Sequence, residues 1–145
     1  MAPRVLFLCT GNYYRSRFAE ALFAARAKAS GLDWQADSRA LGTEPETRNP
    51  GPISRNTLRA LAERGLATVE PPRGPLEVTR ADLVGAALVV ALDEEEHRPM
   101  LAARFPGWEL RVEYWNVADL PAPPAAALSE IERRVTELVA RLARR

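Results

Sequence analysis

The spacing of hydrophobic positions changes period several times along the chain, and each change marks the edge of an element. Val5-Leu6-Phe7-Leu8-Cys9 is an unbroken apolar run stopped by Gly11-Asn12, which predicts a strand buried on both faces and ended by a turn. From Ser16 the spacing becomes helical, with Phe18, Leu22 and Ala25 on one face and Gly31 as the C-terminal cap. Trp34 to Leu41 reads as a weaker strand, Gly42 to Pro52 as a loop, and Ile53 to Arg64 as a helix with Leu58, Leu61 and Ala62 inward and Gly65 just past its end. Glu70 to Pro75 must be loop, because its prolines lack the donor that helix and sheet interiors require. Thr79-Arg80-Ala81-Asp82 has the form of a capping box opening a short helix. Ala87 to Leu92 predicts a second fully buried strand, ending in Asp93. A helical piece follows from Glu94 to Phe105, limited or kinked by Pro99, and Leu110 to Val117 predicts a further strand. After Pro121 to Pro124, a last helix carries Leu128, Ile131, Val135, Leu138 and Leu142 on its apolar face.

Strands that alternate with helices predict an α/β fold, a parallel sheet flanked by helices with ligands outside the carboxyl ends of the strands. Cys9 and Asp93 fall at two such ends, and Asp119 follows a third. A length of 145 residues with 47% hydrophobic and 27% charged positions suits one compact domain over 1–145. A formal charge of +1 gives no electrostatic case for nucleic acid or an anionic membrane as partner. The longest apolar run, Leu83 to Leu92, is about half of the ~20 residues a membrane span needs, and Val5 to Cys9 is too short for a signal-peptide core. With Cys9 as the single cysteine, neither an intramolecular disulfide nor a Cys-rich zinc site can form, so the expected compartment is the cytoplasm. No metal or cofactor is implied.

The segment Cys9-Thr10-Gly11-Asn12-Tyr13-Tyr14-Arg15-Ser16 carries the chemistry. It places a cysteine and an arginine, with five residues between them, in a turn between a buried strand and a helix N-terminus. Such a turn can curl so that its backbone N–H groups converge, and the helix dipole adds positive potential there, making a socket for a phosphate-like dianion. Arg15 would clasp two oxygens through its planar fork, and Gly11 and Asn12 are residue types that tolerate left-handed backbone. The same field favours a nucleophilic thiolate at Cys9. All but one of the 20 basic residues are arginine, so the bare spacing carries little weight and the strand-turn-helix context decides. Asp119, on a later loop, could protonate a leaving oxygen and then activate water. Its rivals are Asp82 and Asp93, of which Asp93 reads better as a helix cap. His97, in a charged segment, reads as solvated and without a role.

Val5 to Asn12, Arg15-Ser16 and Ala19-Glu20 resemble the signature of the low-molecular-weight protein tyrosine phosphatases. The likeness continues through Ala36-Asp37-Ser38, Gly42-Thr43, Asn56 to Gly65, Ala91-Leu92-Asp93 and Val117-Ala118-Asp119. It implies a four-stranded parallel sheet, with the phosphate-binding loop after the first strand. It also implies hydrolysis of a phosphorylated protein or small aryl phosphate through a phosphocysteine. Catalysis would fall to Cys9, Arg15 and Asp119. Thr10, Gly11, Asn12, Tyr13, Tyr14 and Ser16 would surround the substrate, Asn12 organising the loop and Ser16 donating to the thiolate. Three positions depart from the pattern: Tyr14 stands where a second cysteine is usual, Arg17 replaces a proline, and Leu120-Pro121 replaces an Asp-Pro step. Tyr13 and Tyr14 either form a substitute rim for the slot or merely pack. Two other readings compete: an arsenate reductase of the same fold using an external thiol, and a non-catalytic phosphoprotein-binding module.

Overall fold

The computed structural model describes residues 2–66 and 71–144. Four strands form one parallel sheet in the order β2-β1-β3-β4: β1 (Arg4–Cys9), β2 (Gln35–Ala40), β3 (Leu88–Ala91) and β4 (Glu113–Tyr114). β1 is central, and its alternating side chains divide the core in two. Val5, Phe7 and Cys9 face the cluster built with α1 (Arg15–Ala29) and α5 (Pro124–Ala143), where Phe18, Leu22, Ile131 and Val135 are buried. Leu6 and Leu8 face the opposite cluster with Leu83, Val89 and Leu101. The continuous apolar run is therefore a strand covered on both faces, as expected.

Chain direction positions the site. From β1 the chain moves to one side for β2 and to the other for β3 and β4, so the order reverses between β1 and β3. Loops leaving the carboxyl ends of two strands that diverge in this way open a crevice. Cys9 ends β1 there, and α4 (Glu94–Arg104) begins beside it. α2 (Arg55–Glu63) packs on α1, and Ser54 caps it by accepting from the Asn56 amide. Thr79 and Asp82 form the reciprocal capping box that opens α3 (Arg80–Gly85).

Several boundaries differ from the sequence reading. The predicted strand from Leu110 to Val117 shrinks to Glu113–Tyr114, because Trp108–Leu110 winds into a 3-10 turn held by the Leu110 and Arg111 amides. Pro99 neither ends nor limits α4, which continues to Arg104; its ring sits on the exposed face. Within the Gly42 to Pro52 loop, Pro45–Thr47 makes another 3-10 turn. Glu70, the first residue of the predicted proline loop, lies outside the described residues.

Candidate active site

The loop from Cys9 to Arg15 is held from below. Asn12 takes a left-handed backbone with φ +49°, whereas Gly11 stays outside that region, so of the two turn residues only Asn12 meets the predicted demand. Fully buried, Asn12 uses both ends of its amide. Nδ2 donates to Ser16 Oγ and Ser38 Oγ at 2.9 Å each, and Oδ1 accepts from Arg73 at 3.0 Å and from the Leu76 amide at 3.1 Å. Because Ser16 Oγ accepts from Asn12, its own proton is free for Cys9 Sγ, 3.0 Å away. A hydrogen-bond relay thus runs from Asn12 through Ser16 to the sulfur. The amides of Gly11, Asn12, Tyr13 and Tyr14 donate to no protein acceptor among the described residues, and Tyr14 begins α1 without a side-chain cap. Four donors and a helix N-terminus therefore remain for an anion. Gly42 lets the β2 end approach: its amide bonds Thr10 O at 2.9 Å, and a Cβ there would lie 3.0 Å from that oxygen.

Arg17, where the sequence departs from a proline, is buried under the same loop. It donates to the carbonyls of Asn12, Pro52 and Arg73 at 3.3, 3.1 and 2.7 Å. Burial and the neighbouring Arg73 charge lower its pKa to about 10, so it stays cationic at neutral pH.

Cys9, Tyr13, Tyr14, Arg15, Asp119 and Leu120 line one cavity of about 230 Å³, with Asn49 and Ser54 at its side. A larger cavity of about 490 Å³ along α1 has no cysteine among its lining residues and lacks this combination of groups. Arg15 is 1% exposed and its NH2 lies 3.4 Å from Asp119 Oδ2, whose side chain is 48% exposed. Three predicted catalytic groups therefore meet in one crevice although more than a hundred residues separate the first from the last. Tyr13 rests on the rim with its hydroxyl on Pro50 O at 2.6 Å. Tyr14, 6% exposed, belongs to the core while walling the cavity, and its hydroxyl is buried without a partner among the described residues. Burial and the Asp119 charge push that phenol up, against the opposing pull of Arg15.

Two expectations are corrected here. Thr10 turns its hydroxyl away from the cavity, toward Glu96, His97 and Met100 of α4, so its side chain ties the loop down rather than facing substrate. His97 is not solvated: it is fully buried, accepting from the Asp93 amide at 3.1 Å and meeting Thr10 Oγ1 and Glu96 Oε2 at 3.1 Å each. Glu96 was overlooked altogether. Its carboxylate grips Arg15 through two bonds, NH2 to Oε2 at 2.8 Å and NH1 to Oε1 at 3.2 Å. Burial raises its pKa, but hydrogen bonds from His97, Arg15 and Thr10 outweigh it and hold the carboxyl well below the usual range. A signal existed: Asp93 does cap α4, accepting from the Glu96 amide at 3.2 Å, which puts Glu96 in the first turn, at the carboxyl edge of the sheet.

Residues 4–119 match the family described as low molecular weight phosphotyrosine protein phosphatase. The chain belongs to that family. It is 32% identical over 101 residues to the protein-arginine-phosphatase of Bacillus subtilis (strain 168), a match covering 70% of this chain and 62% of that relative's length. A low-molecular-weight protein tyrosine phosphatase from T. tengcongensis superposes with a TM-score of 0.75 at 27% identity over 99% of each chain. A mutant of YwlE from Bacillus subtilis gives 0.81 at 23% identity over 98% of this chain and 99% of that one, a likeness of fold. The matched span of the phosphatase family begins with β1 and ends at Asp119, so it encloses the loop, the Glu96 contact and the exposed carboxylate alike.

Proposed function

We propose that the chain is a cysteine-dependent phosphatase of the protein tyrosine phosphatase type. The observation that carries this reading is the meeting of Cys9, Arg15 and Asp119 around one cavity beneath unpaired loop amides. Loop amides and Arg15 bind the phosphoryl oxygens, and the Cys9 thiolate, supported by Ser16, attacks phosphorus. The bond from phosphorus to the leaving oxygen breaks as Asp119 gives that oxygen its proton, leaving phosphocysteine and an alcohol or phenol; in a phosphoarginine substrate the P–N bond breaks instead, the departing nitrogen takes that proton, and the leaving group is the arginine guanidinium. Asp119, now a carboxylate, takes a proton from water as the water oxygen attacks phosphorus. The P–S bond breaks, inorganic phosphate leaves, and the thiolate returns.

The protein substrate carries its phosphoryl group on tyrosine or on arginine. The second possibility is favoured by the 32% identical relative, which is named for arginine phosphate. Hydrolysis of p-nitrophenyl phosphate, a phosphotyrosine peptide and a phosphoarginine peptide by the purified chain tests the proposal, with thiol-dependent arsenate reduction as the competing assay. Release of phosphate from one or more of these, abolished by Cys9→Ser, is the expected result. Arsenate reduction without phosphatase turnover would assign the reductase reading, and tight phosphopeptide binding without either activity would assign a binding module.

A further inference from the structure

The guanidinium of Arg15 has five N–H bonds, and their destinations fix which of its edges is available. NH1 spends both of its hydrogens within the protein, on Glu96 Oε1 at 3.2 Å and on the Val117 carbonyl at 2.8 Å. NH2 spends one on Glu96 Oε2 at 2.8 Å. The second NH2 hydrogen and the Nε hydrogen, which has no protein acceptor among the described residues, remain. They lie side by side on one edge of the fork. Asp119 Oδ2, 3.4 Å from NH2, marks the side on which the cavity lies.

Glu96 is itself fixed from behind. His97 Nδ1 accepts from the Asp93 amide at 3.1 Å, so the ring carries its proton on Nε2, which points at Glu96 Oε2 at 3.1 Å. The Thr10 hydroxyl donates to the same oxygen. The end of β3, the first turn of α4 and the phosphate loop are thereby joined through one carboxylate.

We infer that Glu96 is a positioning residue: by holding the NH1–NH2 end of Arg15 it presents the Nε–NH2 edge to the phosphoryl group, with His97 keeping the carboxylate in register. This rests on the phosphatase reading above. Glu96 also places a negative charge beside the clasp, so it opposes anion binding while it orients the fork. Orientation and affinity therefore respond in opposite directions when the charge is removed, which a purely structural role would not produce.

The test uses the full chain and its Glu96→Gln and His97→Leu variants. The readouts are kcat for p-nitrophenyl phosphate, calorimetric binding of inorganic phosphate, and 15N NMR of the Arg15 guanidinium, assigned by its loss in Arg15→Lys. In the wild type, phosphate should shift the Nε–H signal while restricted rotation keeps the terminal N–H signals of Arg15 separate. Glu96→Gln should lower kcat about 10- to 100-fold, the scale of a misplaced reacting group, leave phosphate binding equal or tighter, and merge the terminal signals. His97→Leu, which keeps the Glu96 charge, should lower kcat less and give no gain in phosphate affinity. Unchanged kcat in Glu96→Gln, or joint loss of turnover and phosphate binding with the Arg15 signals still separate, would overturn the inference. Should Glu96→Gln fail to fold, unchanged kcat and unchanged Arg15 signals in His97→Leu would overturn it instead. A wild type that binds phosphate but hydrolyses none of p-nitrophenyl phosphate, the phosphotyrosine peptide and the phosphoarginine peptide defeats the phosphatase reading alone; the Arg15 signals then still decide the positioning role.

Discussion

Between Cys9 and Ser16 the working side chains lie beneath the surface, whereas Asp119 reaches the same cavity from a loop that leaves its carboxylate 48% exposed. The first loop is tied by Asn12, Arg17, Thr10 and Glu96 to four other parts of the chain: β2 at Ser38, Pro52, the segment 73–76 and α4. Beyond Val117, by contrast, Asp119 Oδ1 has the Leu120 amide at 2.8 Å, and Oδ2 has Arg15 at 3.4 Å. The contrast fits the two tasks that the proposed mechanism gives these regions. Donors that stabilise charge developing on a transferred phosphoryl group work best when they are fixed before it arrives. A residue that must give a proton and then take one from water has to meet solvent between the steps.

Arg15→Lys attacks the rigid side of this contrast and should have a larger effect than loss of the Asp119 carboxyl. A point ammonium cannot fork two phosphoryl oxygens, so kcat/KM for p-nitrophenyl phosphate should fall about 10³-fold. Asp119→Asn attacks the open side. Its kcat should fall about 10²-fold on phenyl phosphate and less on p-nitrophenyl phosphate, whose leaving group needs less help from an acid, with Tm unchanged because the residue is exposed. Equal losses on both esters would remove Asp119 from the proton-transfer role. Asn12→Ala should show the reverse signature. It empties four hydrogen-bond positions in a buried loop and keeps the left-handed demand, so unfolding in urea should show a loss of about 2–3 kcal/mol together with reduced turnover.

The smallest effect concerns acid. The folded-state pKa of Glu96 lies below its unfolded value of about 4.3, so its ionised form stabilises the fold above that pH, and the contribution is lost as pH falls toward the folded value. The Tm of the wild type should therefore drop more steeply than that of Glu96→Gln between about pH 5 and pH 3. Parallel Tm curves would show that the Arg15–Glu96 contact does not tie down the loop.

Legibility in the sequence divides along the same line. The loop after β1 could be read because its chemistry is local: strand, turn residue, arginine and helix follow within a few positions, and an unbroken apolar run of five residues stopped by Gly11-Asn12 is too short for a helix and fits a strand covered on both faces. β4 was overextended because Leu110 and Val112 supply a strand-like pattern, while Gly107, at φ +94°, starts a tight turn instead. Glu96 and His97 were hidden because their partners, Arg15 and Thr10, are more than eighty residues away, and a run of three glutamates at a helix start has a sufficient local explanation in the helix dipole. Arg73 was passed over in a proline-rich loop for the same reason, although it bonds Asn12 Oδ1 at 3.0 Å.

In the proposed mechanism the held loop makes the Cys9 sulfur the atom that accepts the phosphoryl group. Because the chain has one cysteine, a sulfur adduct can sit nowhere else. Rapid acid quench of Asp119→Asn during turnover of p-nitrophenyl phosphate, read by intact mass and peptide mapping, tests it directly. One phosphoryl group per chain is expected on Cys9, absent from the Cys9→Ser, Asp119→Asn double variant at the same time points, with turnover reduced by about 10⁴-fold or more in Cys9→Ser alone. Substantial hydrolysis by Cys9→Ser, or a phosphoryl group mapped to another residue during turnover, would contradict it.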